Sequence, residues 1–191
     1  MLNVLVIDDS ESRAGEICAG LALAGHRVAA LLPSALDLPR RVEALRPDII
    51  LIGTDSPTRD TLEHLAVVNE AMPRPVIMFS RKGDSAMIRK AMKAGVSAYI
   101  VDGLAAQRIQ PVIQVAIARF EEYQELRRER DDATRKLSDR ILVDRAKGVL
   151  MKARDLDEDA AYKALRKLAM DRGQPLAEVA RTVIDMAKLL L

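Results

Sequence analysis

The first 118 residues alternate short apolar runs with segments in which apolar residues recur at helical spacing. Five such pairs follow one another, a pattern typical of repeated strand–helix units that build a parallel sheet. The third run, DIILI at residues 48–52, is apolar throughout, as expected of a strand that is buried on both faces. The pattern therefore predicts a doubly wound α/β domain whose functional loops follow the C-terminal ends of the strands.

The same runs predict where the individual elements lie. Strands are expected at 2–7, 27–32, 48–52, 76–79 and 98–101. Helices are expected at 11–24, 39–44, 61–70 and 85–94, with a fifth helix that begins at Ile109.

The fifth predicted helix continues far beyond the first domain. No proline or glycine interrupts it between Pro111 and Gly148, and residues 119–140 carry seven basic and seven acidic side chains. This balance favours a solvated helix with ion pairs between successive turns. An apolar seam at seven-residue spacing predicts that the helix pairs with a second copy as a coiled coil, the alternative being a lone spacer helix. The seam positions are Val112, Ala116, Tyr123, Leu126, Ala133 and Leu137.

The last 50 residues predict three short helices and no strand. Asp157 is the expected N-cap of the middle helix, Gly173 its end and Pro175 the first residue of the last helix. Apolar stripes on all three segments predict a small helical bundle. Its close-packed core positions are expected at Ala146, Ala161, Leu165 and Ala169. The predicted domains are 1–118, 119–140 and 141–191.

The composition excludes several classes of protein. Apolar residues make up 49% of the chain and charged residues 30%, which excludes a chain that is disordered throughout. The single cysteine, Cys18, permits neither an internal disulfide nor a cysteine-based zinc site, and His26 and His64 have no paired ligands nearby. Without a membrane-spanning run or a secretion signal, we expect a cytoplasmic protein. We also expect that it is not an enzyme.

Asp8 and Asp9 follow the first predicted strand, so they lie at the functional edge of the sheet. Two adjacent carboxylates there could hold a hard divalent cation such as Mg²⁺, although weakly. Together with the DIILI strand and a fourth strand that ends at Ser80, this arrangement resembles the receiver domain of two-component response regulators. That family phosphorylates an aspartate at the end of the third strand, and it uses a Ser or Thr after the fourth strand and a Lys after the fifth.

The chain departs from the receiver pattern at two positions. Gly53 stands where the phosphorylated aspartate is expected, and the lysine position falls at Asp102, whereas Ser80 matches. Because a glycine offers no oxygen to phosphorylate, the sequence predicts a pseudo-receiver that keeps the fold for control through protein contacts. Asp55, two residues beyond Gly53, stays open as a substitute acceptor.

The predicted bundle resembles the ANTAR domain. The residues that carry this resemblance are DRAKGVLM at 144–151, DAAYKALR at 159–166, LAM at 168–170 and LAEVA at 176–180. Members of that family bind RNA and act as transcription antiterminators. A receiver-like domain, a helical linker and an ANTAR domain together resemble the AmiR/NasT group, and the stretches 54–60 and 94–104 resemble its NasT-type regulators of nitrate assimilation.

Basic residues in the predicted bundle are candidates for RNA contact. Residues 141–191 hold ten basic and eight acidic side chains, so composition alone does not indicate nucleic acid. Each basic side chain could equally lie on a solvated helix face. With few aromatic residues, contact would rest on phosphates and on the shape of a hairpin. The candidates are Arg145, Lys147, Lys152, Arg154, Arg166, Lys167 and Arg172.

With the apolar seam of the linker helix, the resemblance leads us to expect a homodimer in which each bundle binds one hairpin of a leader RNA. It further implies control by a sequestering partner protein that senses nitrate or nitrite. Two other interpretations stay open from the residues. One is a response regulator that binds DNA, which the few polar residues of the last helix disfavour. The other is an interaction adaptor that binds no nucleic acid.

Overall fold

Five parallel strands form one sheet in the N-terminal part of the chain. This computed structural model describes residues 1–101 and 106–190. The strands are β1 (Asn3–Asp8), β2 (Arg27–Leu32), β3 (Ile49–Thr54), β4 (Val76–Ser80) and β5 (Ala98–Val101). Their order in the sheet is β2-β1-β3-β4-β5. This is the order of a flavodoxin-like doubly wound sheet, and it confirms the predicted fold class.

Three of the four helices of this part begin at side-chain caps. The four are α1 (Glu11–Leu23), α2 (Leu38–Leu45), α3 (Arg59–Ala71) and α4 (Ser85–Lys93), and α2 does not begin at such a cap. The side chains of Ser10, Thr58 and Asp84 each accept a hydrogen bond from the backbone N–H three residues on. The cap at Thr58 explains why α3 begins two residues earlier than the apolar spacing predicts, because the first helical turn is set by the cap and not by the core.

The sheet separates two apolar layers. On β1, Leu5 and Ile7 face the layer under α2, α3 and α4, whereas Val4 and Val6 face the layer under α1 and the start of the fifth helix. Every residue of Ile49–Ile52 in β3 is buried, which confirms the prediction of a strand covered on both faces. The polar side chains that follow the strands are therefore left at the C-terminal edge of the sheet.

The fifth helix, α5 (Ile109–Arg154), is unbroken for 46 residues. It continues through the predicted linker and includes the first predicted helix of the bundle. Two predicted seam positions, Val112 and Ala116, pack in the apolar core of the first unit instead, because the start of α5 covers the sheet. No helix in the described part of the chain is both long and apolar enough to cross a lipid bilayer.

The chain divides into two units between Gln124 and Glu125, and each is described by itself. In the second unit α5 is followed by α6 (Glu158–Arg172) and α7 (Leu176–Leu190). Asp157 caps α6 through a 2.7 Å hydrogen bond from the N–H of Ala160, and Gly173 ends α6 at a φ of 60°, both as predicted.

The predicted start of the last helix is wrong by one residue. Pro175 was expected as the first helical residue, but α7 begins at Leu176. The carbonyl of Pro175 accepts hydrogen bonds from the N–H groups of Glu178 and Val179, so the proline lies at the cap position. The predicted core positions of the bundle are buried, and these are Ala146, Ala161, Leu165 and Ala169.

Candidate functional site

The C-terminal ends of β1 and β3 bring the predicted acidic residues together. Asp8 ends β1 and pairs in register with Gly53 on β3, and Asp55 follows the end of β3. The side chain of Asp8 is fully buried, whereas those of Asp9 and Asp55 are largely exposed. The order of strands in the sheet reverses between β1 and β3, which is where open α/β sheets leave a crevice for a ligand.

Arg13, which sequence reasoning missed, fills this crevice. Its Nε lies 2.7 Å from Oδ2 of Asp8, and its Nη2 lies 2.8 Å from Oδ1 of Asp8 and 2.9 Å from Oδ1 of Asp9. Its Nη1 lies 2.8 Å from Oδ1 of Asp55. One guanidinium thus donates to three carboxylates while its side chain is only 16% exposed.

The charge of Arg13 is fixed by these partners. The hydrogen bond to Asp8 is the main reason why the pKa of Arg13 is raised above its ordinary value, and Asp55 adds to the effect while burial opposes it. The available sequence signal was an arginine on the first turn of a helix that follows two adjacent aspartates. That signal is ambiguous, because an arginine at the start of a surface helix commonly points into solvent.

Gly53 lies where the chain has no room for a side chain. A Cβ at this position would overlap Oδ2 of Asp8 and would stand 2.9 Å from Nε of Arg13. The ion pair of Asp8 and Arg13 therefore occupies the space in which a phosphorylated aspartate is expected in the receiver pattern. Asp102, predicted at the lysine position of that pattern, lies outside the described residues.

The residues of the crevice do not fit a divalent cation while Arg13 is in place. Both carboxylate oxygens of Asp8 accept from the guanidinium, and Oδ1 accepts in addition from the N–H of Ser10 at 2.8 Å. Within residues 1–101 and 106–190, no group of three acidic, histidine or cysteine side chains is arranged to hold a metal ion. Mg²⁺ at Asp8 and Asp9 stays a prediction that requires Arg13 to withdraw.

Ser80 closes the crevice from the side of β4. It is buried, and its hydroxyl lies 3.0 Å from the carbonyl oxygen of Asp55 and 2.9 Å from that of Lys82. The hydroxyl of Tyr99 donates to the same carbonyl of Lys82 at 2.8 Å. Ser80 therefore contacts the backbone of two loops, and in the described ranges no hydrogen bond joins it to the carboxylates of Asp8 and Asp9.

The second unit contains a groove with a cavity volume of about 1240 Å³ between α5, α6 and α7. Apolar side chains such as Leu165, Leu168 and Val183 line it. Among the described residues, Asp171 is the one acidic side chain in its lining. Six basic side chains line it as well, and we refer to it as the basic groove. They are Arg145, Lys152, Arg154, Lys167, Arg172 and Lys188.

Five of the seven candidates for RNA contact line the basic groove. All five are exposed, and none forms an ion pair with another residue in the described ranges. The five are Arg145, Lys152, Arg154, Lys167 and Arg172. Sequence reasoning missed Lys188, which is paired with Asp185 at 3.1 Å. Its spacing of four residues from Ile184, another residue of the lining, could have placed it on the same side of α7.

Lys147 and Arg166 lie outside the lining of the basic groove. The Nζ of Lys147 is 2.7 Å from Oδ1 of Asp144 and 2.6 Å from Oε1 of Glu158, so it links α5 to the first turn of α6. The hydrogen bond with Asp144, followed by that with Glu158, raises the pKa of Lys147, and the bond with Lys147 lowers the pKa of Asp144. Contact of Lys147 and Arg166 with RNA stays a prediction.

Comparison with known proteins identifies both units. Residues 4–114 match the response regulator receiver domain, and residues 131–184 match the ANTAR domain. The chain is an ANTAR-domain response regulator. The resemblance drawn from the sequence motifs is thereby confirmed.

This ANTAR-domain response regulator is 25% identical to the transcriptional regulatory protein PdtaR of Mycobacterium tuberculosis, over 95% of the chain and 89% of PdtaR. It is 42% identical over 53 residues to the nitrate regulatory protein of Klebsiella oxytoca, which covers 28% of the chain and 13% of that protein. The signal receiver domain of a modulated diguanylate cyclase from Desulfovibrio desulfuricans superposes with a TM-score of 0.56 at 22% identity, over 64% of the chain and 98% of that domain. The last similarity shows the receiver fold.

Proposed function

We propose that this response regulator binds hairpin RNA through the basic groove and acts as a transcription antiterminator. The observation that carries the proposal is the segregation of charge in the bundle. Residues 141–191 hold almost as many acidic as basic side chains, yet the basic groove has six basic side chains and one acidic one. The surface of the groove is mainly apolar, so a chain of phosphates would be contacted by the basic side chains along it.

The chemistry of the groove suits a folded RNA. A guanidinium such as that of Arg145 or Arg172 donates two parallel hydrogen bonds to one phosphate, whereas an ammonium such as that of Lys167 acts as a point charge. These contacts position the RNA but carry little information on its sequence, so the shape of a hairpin and its unpaired loop provide the recognition. Binding stabilises the hairpin, and a stabilised hairpin excludes a competing terminator structure.

The chemical class of the ligand can be tested with the full chain. Filter binding across a salt series would compare hairpin RNAs that share a stem and have randomised loops with a DNA duplex of the same stem sequence. We expect binding to RNA whose affinity falls steeply with salt, since counterions are released from the phosphates. Tighter binding to the duplex would favour a DNA-binding regulator, and no binding at low salt would favour an adaptor.

We further propose a homodimer through residues 119–140 of α5. Tyr123, Leu126 and Leu137 are exposed by 54%, 58% and 61% on this helix, at the seven-residue spacing of a coiled-coil seam. Residues 119–140 would then be the dimerising linker between domains at 1–118 and 141–191. Two basic grooves in one dimer could engage two hairpins of a leader RNA, and the second contact would gain effective concentration from the first.

We propose that a partner protein, and not a phosphoryl group, controls this regulator. Gly53 offers no acceptor oxygen, and the carboxylate of Asp55 is held by Arg13. We propose that this partner is a sensor that binds nitrate or nitrite and sequesters the regulator until its ligand arrives. The similarity over 53 residues to the nitrate regulatory protein supports a link to nitrate. In a mixture of regulator and sensor, nitrate should restore RNA binding by the regulator.

A further inference from the structure

We propose that Arg13 is a built-in counter-cation of the receiver crevice. Its single positive charge is shared by Asp8, Asp9 and Asp55 from within the chain and keeps a divalent cation out, so that the crevice has one state with or without Mg²⁺. This inference concerns the first unit alone and does not rest on RNA binding.

The burial of Asp8 is the first reason. Its side chain is fully buried, and a buried carboxylate needs both an opposite charge and hydrogen bonds to remain ionised. Arg13 supplies both through Nε and Nη2, at 2.7 and 2.8 Å, and the N–H of Ser10 adds a third bond. Asp8 thus has its counter-charge and its hydrogen bonds without a metal ion.

The span of the guanidinium is the second reason. It connects Asp9, in the loop between β1 and α1, with Asp55, in the loop between β3 and α3. Arg81 lies 3.4 Å from the same oxygen of Asp55 and adds a second positive charge. An arginine remains protonated at every physiological pH, and it is tethered to the site, whereas Mg²⁺ must enter from solution and shed part of its hydration shell. Arg13 therefore competes with Mg²⁺ for the same carboxylates.

Gly53 is the third reason, because it is the residue that makes room for this ion pair. Any side chain at residue 53 would displace the carboxylate of Asp8 and break its bonds to Arg13. A Gly53→Asp substitution alone would accordingly fail to restore a phosphorylated receiver. The new carboxylate would be a fourth acceptor that competes for Arg13.

The test compares metal binding in full-length proteins. Mn²⁺, a spectroscopic substitute for Mg²⁺, is titrated into the wild type and two variants and followed by electron paramagnetic resonance. The variants are Arg13→Gln and a matched control, Arg59→Gln, which removes an exposed arginine that pairs with Glu63. We expect no saturable site in the wild type or in Arg59→Gln. Arg13→Gln should gain one saturable Mn²⁺ site, since Arg13 no longer competes for the carboxylates. Adding Asp8→Asn to Arg13→Gln should abolish that binding.

A second measurement uses the wild type, so it does not depend on whether a variant folds. The ¹⁵N–¹H signal of the Arg13 Nε group reports directly on its bond to Asp8. We expect this signal to remain unchanged when Mg²⁺ is added to millimolar concentration. A saturable shift of the signal, or Mn²⁺ binding by the wild type as tight as that of Arg13→Gln, would overturn the proposal, as would an Arg13→Gln variant that folds and gains no Mn²⁺ site.

Discussion

The carboxylate of Asp8 occupies the space in which a side chain on residue 53 would begin. The two residues pair in register across β1 and β3, and Arg13 holds the carboxylate in that position. Gly53 therefore does more than remove the aspartate that the receiver pattern would phosphorylate. It is the residue that lets this receiver carry an internal ion pair at its crevice.

Crowding at Gly53 predicts the effect of a single methyl group. Gly53→Ala should lower the free energy of unfolding by about 1–3 kcal/mol, the usual cost of overpacking, because both Asp8 and Arg13 must shift. Urea denaturation followed by circular dichroism measures this change. Gly15→Ala is the matched control, since a Cβ there meets nothing within 4 Å. Alanine in the interior of α1 should stabilise by about 0.5–1 kcal/mol. Equal effects of the two substitutions would contradict the crowding at Gly53.

The ion pairs of Lys147 predict how the stability of the bundle depends on pH. The pKa of Asp144 is lowered, so its contribution is complete above about pH 4, the ordinary range of a carboxyl, and is lost as the pH falls through the folded-state value. The pKa of Lys147 is raised, so its contribution is complete below about pH 10 and is lost as the pH rises further.

The variant Lys147→Met tests this pH dependence. Relative to the wild type, its melting temperature should be lowered by a constant amount between about pH 5 and pH 9, and the difference should shrink in acid below that range. Thermal unfolding in a series of buffers provides the measurement. A difference that grows as the pH falls would contradict the assignment. RNA binding by the same variant tests whether Lys147 also contacts RNA.

The exposed seam of α5 predicts a dimer that charge can dissociate. Replacing Leu126 and Leu137 with lysine would place four like charges in the seam of the paired helices, so we expect a shift from dimer to monomer in analytical ultracentrifugation. The control replaces Leu23 and Val67, two exposed apolar residues of the first unit, with lysine and should stay dimeric. If both double variants and the wild type have the mass of one chain, the proposed coiled coil is absent.

Much of the fold could be predicted because its signals are local. The apolar run in β3 identified a doubly covered strand, and the acidic cap Asp157 and the glycine at 173 set the ends of α6. The start of α7 was missed by one residue because a proline fits either the cap or the first helical position.

The details of the two sites could not be predicted because they depend on contacts between distant segments. Arg13 meets Asp55 across 42 positions of sequence, a contact that exists only once β1 and β3 are neighbours. The pairing of Lys147 with Asp144 is local, but its second partner, Glu158, reaches it only once α6 packs against α5. The basic groove likewise forms only when three helices pack, because its six basic residues come from three separate helices.

The most direct test of the proposed function changes two charges inside the basic groove and two outside it. Hairpin RNA binding is measured across a salt series for Lys167→Gln with Arg172→Gln, and for the matched control Arg128→Gln with Arg181→Gln. The groove variant should lose affinity, and the slope of its log affinity against log salt should fall by about two, or about one for each phosphate contact removed. The control should retain the wild-type affinity and slope. Equal RNA binding by the two variants would contradict binding through the basic groove.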